Sequence, residues 1–302
     1  MARLNYYHYN FNAMGSPCSI QLYAKNSKSA KQAAKIVMDD VYRLETKYSR
    51  YRDDSLLSKI NRIAAQGRSI LVDDETSGLL DYASTCYQQS DGLFDITSGI
   101  LRRAWNFKSG VIPDNLIIEK LLAQIGWHHL RWQKPKLTFT IAGMEIDFGG
   151  IVKEYAVDRA ASLCVQNDIH HGVINLGGDI RIIGPHADES PWRVAIRHPN
   201  KPDGILTTVE LYAGAVASSG DYERCITLNG KRYGHVLNPK TGWPVSYMVA
   251  VSVIGDFCVV AGSASTIAML KEEQGTAWLK ELGLPHLWVN LQGHHGGSIP
   301  IE

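Results

Sequence analysis

The sequence predicts an α+β fold in which largely antiparallel strands pack against helices. Short strand patterns follow one another as hairpin-like pairs in the middle of the chain, and helical patterns lie mainly on either side of them. Strand and helix do not alternate regularly, which disfavours a doubly wound parallel sheet. The 302 residues are enough for a substantial buried core. We expect one domain over residues 1–302, with a short N-terminal extension at 1–11 and a flexible tail at 292–302.

Helical periodicity is clearest near the N-terminus. A helix is predicted to begin near residue 29, because apolar residues recur there at the spacing of one helix face: Ala30, Ala33, Val37, Val41 and Leu44. Further helices are predicted over 55–64, 74–89, 115–125, 151–165, 261–271 and 276–282. Alternating or short apolar runs predict strands over 18–24, 137–141, 144–147, 172–175, 180–183, 192–196, 206–211, 249–254 and 287–291.

Composition and charge exclude several classes of protein. Hydrophobic residues make up 45% and charged residues 20% of the chain, as in an ordinary globular protein. Lys and Arg number 31 against 30 Asp and Glu, a balance that gives no electrostatic footprint for nucleic acid. The most apolar stretch, 248–261, is broken by Asp256 and is too short for a membrane helix. The first residues show no signal-peptide pattern, and we expect a cytoplasmic protein without membrane insertion.

The segment 146–158 has the pattern of a strand, two glycines and a helix. Gly149 and Gly150 allow backbone N–H groups to approach an anion, and the start of a helix adds a partial positive charge. Lys153, in the first turn of that helix, would add a point charge for a phosphate. A tight turn followed by a surface lysine explains the same pattern, because short glycine patterns recur by chance.

A second glycine pair ends the next strand. Gly177 and Gly178 lie between Asn175 and Asp179, an arrangement suited to recognising a base edge or a hydroxyl group through side chain and backbone. The alternative is a turn in which the Asn and Asp side chains bond the local backbone.

Polar side chains cluster where small residues end another strand. Ser219, Asp221, Tyr222 and Arg224 follow one another closely in the sequence. Tyr or Arg would stack on an aromatic ring, and Asp would bind a ribose hydroxyl. A solvated loop with an internal Asp–Arg pair fits the same residues.

A histidine precedes the turn sequence 238–242. His235, at the end of a predicted strand, is placed to act as a general base, although a lone histidine is more often structural. Asp95 is a further candidate, with helix capping as its alternative. The sequence has no Walker loop, G-x-G-x-x-G, H-E-x-x-H or G-x-S-x-G pattern, so the usual nucleotide, zinc and serine-hydrolase sites lack support.

Taken together and in this order, the motifs resemble those of the ApbE family of FAD:protein FMN transferases. The resemblance spans residues 14–269, nearly the whole chain. The matching segments are 14–16 (Met-Gly-Ser), 49–51 (Ser-Arg-Tyr), 92–97 (Gly-Leu-Phe-Asp-Ile-Thr), 147–158, 175–179, 219–224 and 235–242.

The resemblance implies an ApbE-like, T-fold-related α+β fold that binds FAD between these junctions, with Mg²⁺ on the diphosphate. A threonine or serine hydroxyl of a target redox flavoprotein would attack the FMN phosphorus and expel AMP, which leaves the target covalently flavinylated. His235 and Lys153 match positions expected to serve catalysis. The residues expected to contact FAD are Met14, Tyr51, Asp95, Gly149, Gly150, Lys153, Asn175, Gly177, Gly178, Ser219, Asp221, His235 and Thr241.

Two positions depart from the family pattern. Where the family has Lys-Gly-Tyr, this chain has Glu154 in the middle, which adds a side chain and a negative charge. Where the family has a metal-binding aspartate in an Ala-Asp-Ala-x-x-Thr stretch, this chain has Gly262. The resemblance leaves the carbonyl of Val152 and the hydroxyl of Thr266 as metal ligands. Magnesium binding and transfer are therefore expected to weaken. If the protein is an active transferase with an impaired metal site, the substitution Gly262→Asp should raise its magnesium-dependent turnover.

Two other functions remain open. Without the aspartate, the protein would be a FAD-binding homologue deficient in transfer, serving as a flavin carrier or partner. A nucleotide pyrophosphatase would release AMP and FMN in the absence of any target. The retained His235 and the otherwise complete motif set favour the transferase.

Overall fold

A computed structural model describes residues 3–201, 204–221 and 225–301. In that part of the chain the helices are α1 (Ser27–Tyr48), α2 (Leu56–Ala64), α3 (Asp74–Gln89), α4 (Asn115–Leu122), α5 (Val152–Gln166), α6 (Cys258–Leu270) and α7 (Gln274–Leu282), with 3-10 helices at Ile96–Arg103 and Trp127–His129. The strands are β1 (Asn5–Ala13), β2 (Ser16–Ala24), β3 (Ser69–Leu71), β4 (Leu130–Gln133), β5 (Lys136–Phe139), β6 (Gly172–Leu176), β7 (Asp179–Gly184), β8 (Trp192–Arg197), β9 (Ile205–Leu211), β10 (Gly214–Gly220), β11 (Cys225–Leu228), β12 (Lys231–Gly234), β13 (Met248–Gly255), β14 (His286–Asn290) and β15 (His295–Gly297).

Eight strands form one sheet in the order β1-β2-β6-β7-β10-β13-β14-β15, and every neighbouring pair in it is antiparallel. Helices α1, α5 and α6 pack on this sheet and enclose the main core. The other strands form the sheet β3-β5-β4 and the hairpins β8-β9 and β11-β12. The α+β class with largely antiparallel strands is therefore confirmed.

Side-chain patterns account for the central elements. In β2, Cys18, Ile20 and Leu22 are buried and the residues between them are only half-buried, which is the alternation of a strand with one face on the core. Helix α6 is buried on nearly all sides and is rich in Ala, Gly and Ser, so that it packs closely against both the sheet and α5. None of the helices in the described ranges combines the length and the apolar character that crossing a bilayer requires.

The prediction of a strand over 144–147 is wrong, because the side chain of Asn61 takes the place of a strand partner. Asn61 donates its Nδ2 to the carbonyl of Ile146 at 3.0 Å and accepts the N–H of Ile146 at 2.8 Å. The amide thus satisfies the backbone groups that a neighbouring strand would otherwise bond, and the buried segment needs no sheet partner. The other predicted helices and strands lie within a few residues of their observed bounds.

Described segments near both ends of the chain belong to the sheet. Residues 5–11, part of the expected extension 1–11, contribute most of β1, which pairs with β2 along its whole length. Tyr7, Tyr9 and Phe11 pack against the core at strand spacing. The tail 292–302, expected to be flexible, contains β15 on the edge of the sheet, and Ile299 beyond it is buried. Strands β1, β3, β4, β11 and β15 were not predicted.

Helix α5 supplies the cap of α6. Phe257, at the start of α6, makes no side-chain cap of its own. Asp158 on α5 instead accepts the N–H groups of Cys258 and Val259, each at 2.9 Å. These donors have no partner within the helix, so the carboxylate fixes the start of α6 against the middle of α5.

A charged network also holds α5 against α1 and α3. Glu75, at the start of α3, accepts two hydrogen bonds from Arg43 and one from Lys47, each at 2.8 Å. The hydroxyl of Tyr155 on α5 donates to the same carboxylate at 3.3 Å. The hydrogen bonds from Arg43, aided by Lys47, lower the pKa of Glu75 to about 2.

We expect Glu75→Gln to lower the free energy of unfolding at pH 7 by about 1–2 kcal/mol, because charge-assisted hydrogen bonds are lost while the shape is kept. The folded-state pKa of Glu75 is depressed, so its contribution is present above the ordinary value of 4.5 and disappears as the pH falls towards 2. Denaturant unfolding at neutral pH and near pH 3 measures the difference, which should shrink in acid. Asp39→Asn, which removes an exposed pair with Lys35, is the control. Equal losses in the two variants would contradict the prediction.

Candidate functional site

Lys153 lies in the first turn of α5, and a buried carboxylate holds its side chain. Its Nζ is 2.7 Å from Oδ2 of Asp179, the first residue of β7, which is 2% exposed. Burial by itself lowers the pKa of Lys153, but the carboxylates of Asp179 and Glu154 outweigh it and raise the pKa to about 12. The ammonium therefore stays charged at neutral pH. A surface lysine after a tight turn does not describe this residue.

The turn that precedes α5 rests on neighbouring motifs. Asp147 accepts the N–H of Gly149 at 2.9 Å and forms an ion pair with Arg50. Gly150 lies over Phe94, and a Cβ on this glycine would be 3.2 Å from the phenyl ring. The segments 49–51 and 92–97 thus both contact the glycine turn.

Tyr51 and Asp95 have opposite environments at this turn. The ring of Tyr51 is 78% exposed and stacks with Arg50, whose guanidinium carbon is 5.1 Å from the ring centre. Asp95 is buried, and its carboxylate accepts the N–H of Thr97 at 2.8 Å and that of Trp127 at 3.0 Å. Asp95 therefore caps the 3-10 helix that follows, which was its alternative role, whereas the Tyr51 ring is accessible to a ligand.

The turn between β1 and β2 lies against the turn between β6 and β7. A Cβ on Gly177 would be 2.6 Å from Cβ of Ser16, and the φ of 62° at Gly177 also favours glycine. Met14 donates its N–H to Oε1 of Glu45 at 2.8 Å. A surface depression of about 360 Å³ adjoins this turn and is lined by Asn12, Ala13, Gly15, Ser16, Pro17 and Glu45.

Asn175 closes the second glycine turn. Its Oδ1 accepts the N–H of Gly178 at 2.8 Å, which is the locally bonded turn considered as an alternative. Gly177 and Gly178 are exposed, so a ligand can reach their backbone. Asp179, at the end of the turn, is engaged with Lys153 rather than with the local backbone.

Strand β10 brings hydroxyl groups to the start of α5. It pairs with β7, and Ser219 near its end lies 2.7 Å from Oγ of Ser265 and 2.8 Å from Oγ1 of Thr266 on α6. Thr266 lies one helical turn beyond Gly262, on the same face of α6. The structure therefore joins the third motif to the C-terminal stretch that carries the predicted metal ligand.

Asp221 and His235 are neighbours beyond the end of β10. Asp221 is 2% exposed and accepts a hydrogen bond from Arg232 at 2.9 Å. A Cβ on Gly234 would lie 2.4 Å from Cβ of Asp221, so the backbone just before His235 packs directly on this carboxylate. His235 follows β12 and is exposed. The arginine that pairs with Asp221 comes from β12 and is not part of the sequence motif around Asp221.

The turn 238–242 reaches back to the loop near Asp91. Lys240 donates its ammonium to the carbonyl of Asp91 at 2.8 Å. Thr241 is exposed beside it, and its hydroxyl accepts the N–H of Trp243 at 3.2 Å. Tyr222 and Arg224, named as stacking residues, lie outside the described residues.

The predicted metal ligands flank a buried carboxyl group. Val152 is the first residue of α5, and Glu154, two residues later, is 8% exposed and faces Gly262 on α6. Burial, and then the carboxylate of Asp179, raises the pKa of Glu154. Within the described ranges, no group of three or more His, Cys, Asp or Glu side chains is arranged to hold a metal ion. Carboxylate and hydroxyl oxygens are nevertheless the donors that Mg²⁺ takes, so the residues fit that ion if water completes its shell.

Comparisons with known proteins match almost the whole chain. The sequence model of the ApbE family matches residues 14–288. A FAD:protein FMN transferase of Chlamydia pneumoniae is 30% identical over 268 residues, covering 84% of this chain and 83% of that protein. One from Vibrio cholerae is 29% identical over 248 residues, covering 80% and 74%.

Solved structures share the fold. The ApbE protein of Thermotoga maritima superposes with a TM-score of 0.89 at 29% identity, covering 97% of both chains. The flavin transferase ApbE of Vibrio cholerae superposes with a TM-score of 0.84 at 26% identity, covering 98% of both. The family model extends over more than nine-tenths of the sequence, and the geometry of the motifs and both structures agree with it. This chain belongs to the ApbE family.

Proposed function

We propose that this protein transfers FMN from FAD to a threonine or serine hydroxyl of a target redox flavoprotein, with release of AMP. The observation that carries the proposal is that motifs distant in sequence meet at the buried pair of Lys153 and Asp179. His235, in the last of these motifs, is exposed. The names of the relatives, FAD:protein FMN transferases, support the same reaction. The acceptor would be a redox protein with a short segment that contains Ser or Thr followed by Gly.

The chemistry is a single displacement at phosphorus. The acceptor oxygen forms a bond to the FMN phosphorus, and the bond from that phosphorus to the AMP oxygen breaks, so that AMP leaves with the electron pair. The hydroxyl proton passes to the imidazole of His235, which is exposed and thus accessible to a partner protein. Lys153, kept charged by Asp179, stabilises the negative charge on the diphosphate.

Other residues would bind rather than react. The exposed ring of Tyr51 suits stacking on a flavin or adenine ring. Gly149 and Gly178 lie at exposed turns, and because their N–H groups are donated to Asp147 and Asn175, they would leave room for FAD rather than bond its phosphates. Asp95 and Asn175 would act indirectly, through the turns that they hold.

Magnesium, when bound, would neutralise charge on the diphosphate. The residues that would hold it are the carbonyl of Val152, the hydroxyl of Thr266 and the carboxylates beside them. We expect that removing magnesium with a chelator abolishes transfer. FAD should still bind, but with lower affinity.

The central experiment incubates the protein with FAD, Mg²⁺ and a redox domain bearing a Ser/Thr-Gly acceptor segment. Intact mass spectrometry should show one FMN added to the domain, with an equal amount of AMP released. Replacing the acceptor hydroxyl by alanine is the control and should prevent the mass increase. AMP release without any acceptor would indicate a pyrophosphatase, and bound FAD without transfer across a range of Mg²⁺ would indicate a flavin carrier.

His235→Asn should slow single-turnover transfer by about 10²–10⁴-fold, because the hydroxyl loses its proton acceptor. Affinity for FAD, measured by titration, should change little, since the imidazole acts on the incoming group. His294→Asn, at another exposed histidine, should leave both quantities unchanged. Transfer by His235→Asn at the wild-type rate would remove this residue from the mechanism.

Lys153→Met should weaken FAD binding by at least about tenfold, because a charge that faces the diphosphate is lost. The same variant leaves Asp179 buried without its partner, at a cost of about 3–5 kcal/mol in the free energy of unfolding. Adding Asp179→Asn should restore much of that stability without restoring FAD affinity. If the double variant bound FAD as tightly as the wild type, Lys153 would be only a structural residue.

A further inference from the structure

The two departures from the family pattern meet in space. Gly262 on α6 faces Glu154 on α5, and a Cβ built on Gly262 would lie 2.5 Å from Cγ of Glu154 and 3.2 Å from its Oε1. Real Cβ atoms do not approach other atoms so closely. The side chain of Glu154 therefore fills the space in which any side chain at position 262 would begin.

Glu154 places a carboxyl group there with part of its bonding capacity unused. The residue is 8% exposed, and its Oε2 has no hydrogen-bond partner among the residues that the structure describes. A buried oxygen without a partner costs free energy, and an ionised carboxylate costs far more. The side chains of Glu154 and Asp179 interact with each other, so two buried carboxyl groups meet here with either a shared proton or a cation between them.

The charges around Glu154 point to a cation. Two carboxyl groups, those of Glu154 and Asp179, share the single ammonium group of Lys153, and a cation between them would stabilise both in their ionised form. The nearby carboxylate of Asp158 is already occupied, because it caps α6 and lies 3.9 Å from Nε of Arg181. The surrounding donors are oxygens apart from the thiol of Cys258, and the described residues hold no set of histidines or thiolates of the kind that binds zinc.

We infer that Glu154 supplies, from α5, the metal-binding carboxylate that the family pattern places at position 262 on α6. A divalent cation is held by Glu154 together with Asp179 and the hydroxyl of Thr266, at the start of α5. This inference rests on the proposed function only in assigning the cation to the FAD diphosphate. The inference also predicts that Gly262→Asp alone would not raise turnover, because the new Cβ would displace Glu154.

The test measures metal affinity rather than turnover. Mn²⁺ is titrated into the full-length protein, with and without FAD, and the unbound ion is quantified by electron paramagnetic resonance. The wild type should bind one ion saturably, and Glu154→Gln should weaken binding by at least about tenfold. Glu145→Gln, which alters another buried glutamate paired with Arg102 and Arg103, is the matched control and should keep wild-type affinity.

A variant in which the residues at positions 154 and 262 are exchanged gives a second, independent test of metal binding. The double variant Glu154→Gly/Gly262→Asp should recover most of the affinity that Glu154→Gln loses, since the carboxylate returns from the opposite helix. Gly262→Asp alone should bind Mn²⁺ more weakly than the wild type and melt at a lower temperature. If Glu154→Gln fails to fold, the double variant tests the inference in its place. Saturable Mn²⁺ binding by the double variant would support the inference, and failure to bind would overturn it.

Wild-type Mn²⁺ affinity in Glu154→Gln would overturn the inference, and so would a wild type that binds no ion even with FAD. A higher melting temperature of Glu154→Gln with unchanged affinity would mark Glu154 as a neutral buried acid. The FMN-transfer assay separates the two proposals. Glu154-dependent binding without transfer would leave this inference standing and refute the proposed function, and transfer without Glu154-dependent binding would do the reverse.

Discussion

The buried ion pair between Lys153 and Asp179 is the interaction on which the site depends. It joins the first turn of α5 to the first residue of β7, and so fixes the helix start against the turn that precedes the strand. Neither charge would be stable there alone, because a buried charge needs a partner. The pair keeps an ammonium group charged in a partly buried position and holds two glycine turns on the same side of the sheet.

The helices that carry the site are positioned by groups outside it. Glu75 holds α5 against α1 and α3 through Tyr155, while Asp158 fixes the start of α6 on α5. Because both contacts use charged groups at helix ends or on helix faces, small shifts between α5 and α6 would break good hydrogen bonds. The distance between Glu154 and Gly262 is thus set by the packing of whole helices rather than by the site itself.

Much of this arrangement could be predicted from the sequence, and what could not has physical causes. Periodicity located α1, α3 and α5, and the motif order indicated which turns would meet. Local patterns failed where a distant side chain replaced a strand partner, as Asn61 does for Ile146. The alternating aromatic residues of β1 are a strand pattern, which the structure pairs with β2. The contact between Glu154 and Gly262 depends on how α5 packs against α6, and the sequence of either helix alone does not predict that packing.

The contact between positions 154 and 262 also restricts the order in which they can change. An aspartate that appears first at 262 meets the glutamate already in that volume. A glycine that appears first at 154 leaves neither helix with a carboxylate. Each single step passes through an impaired form, and effects at touching residues are not additive. The choice of residue at one of these positions therefore constrains the choice at the other.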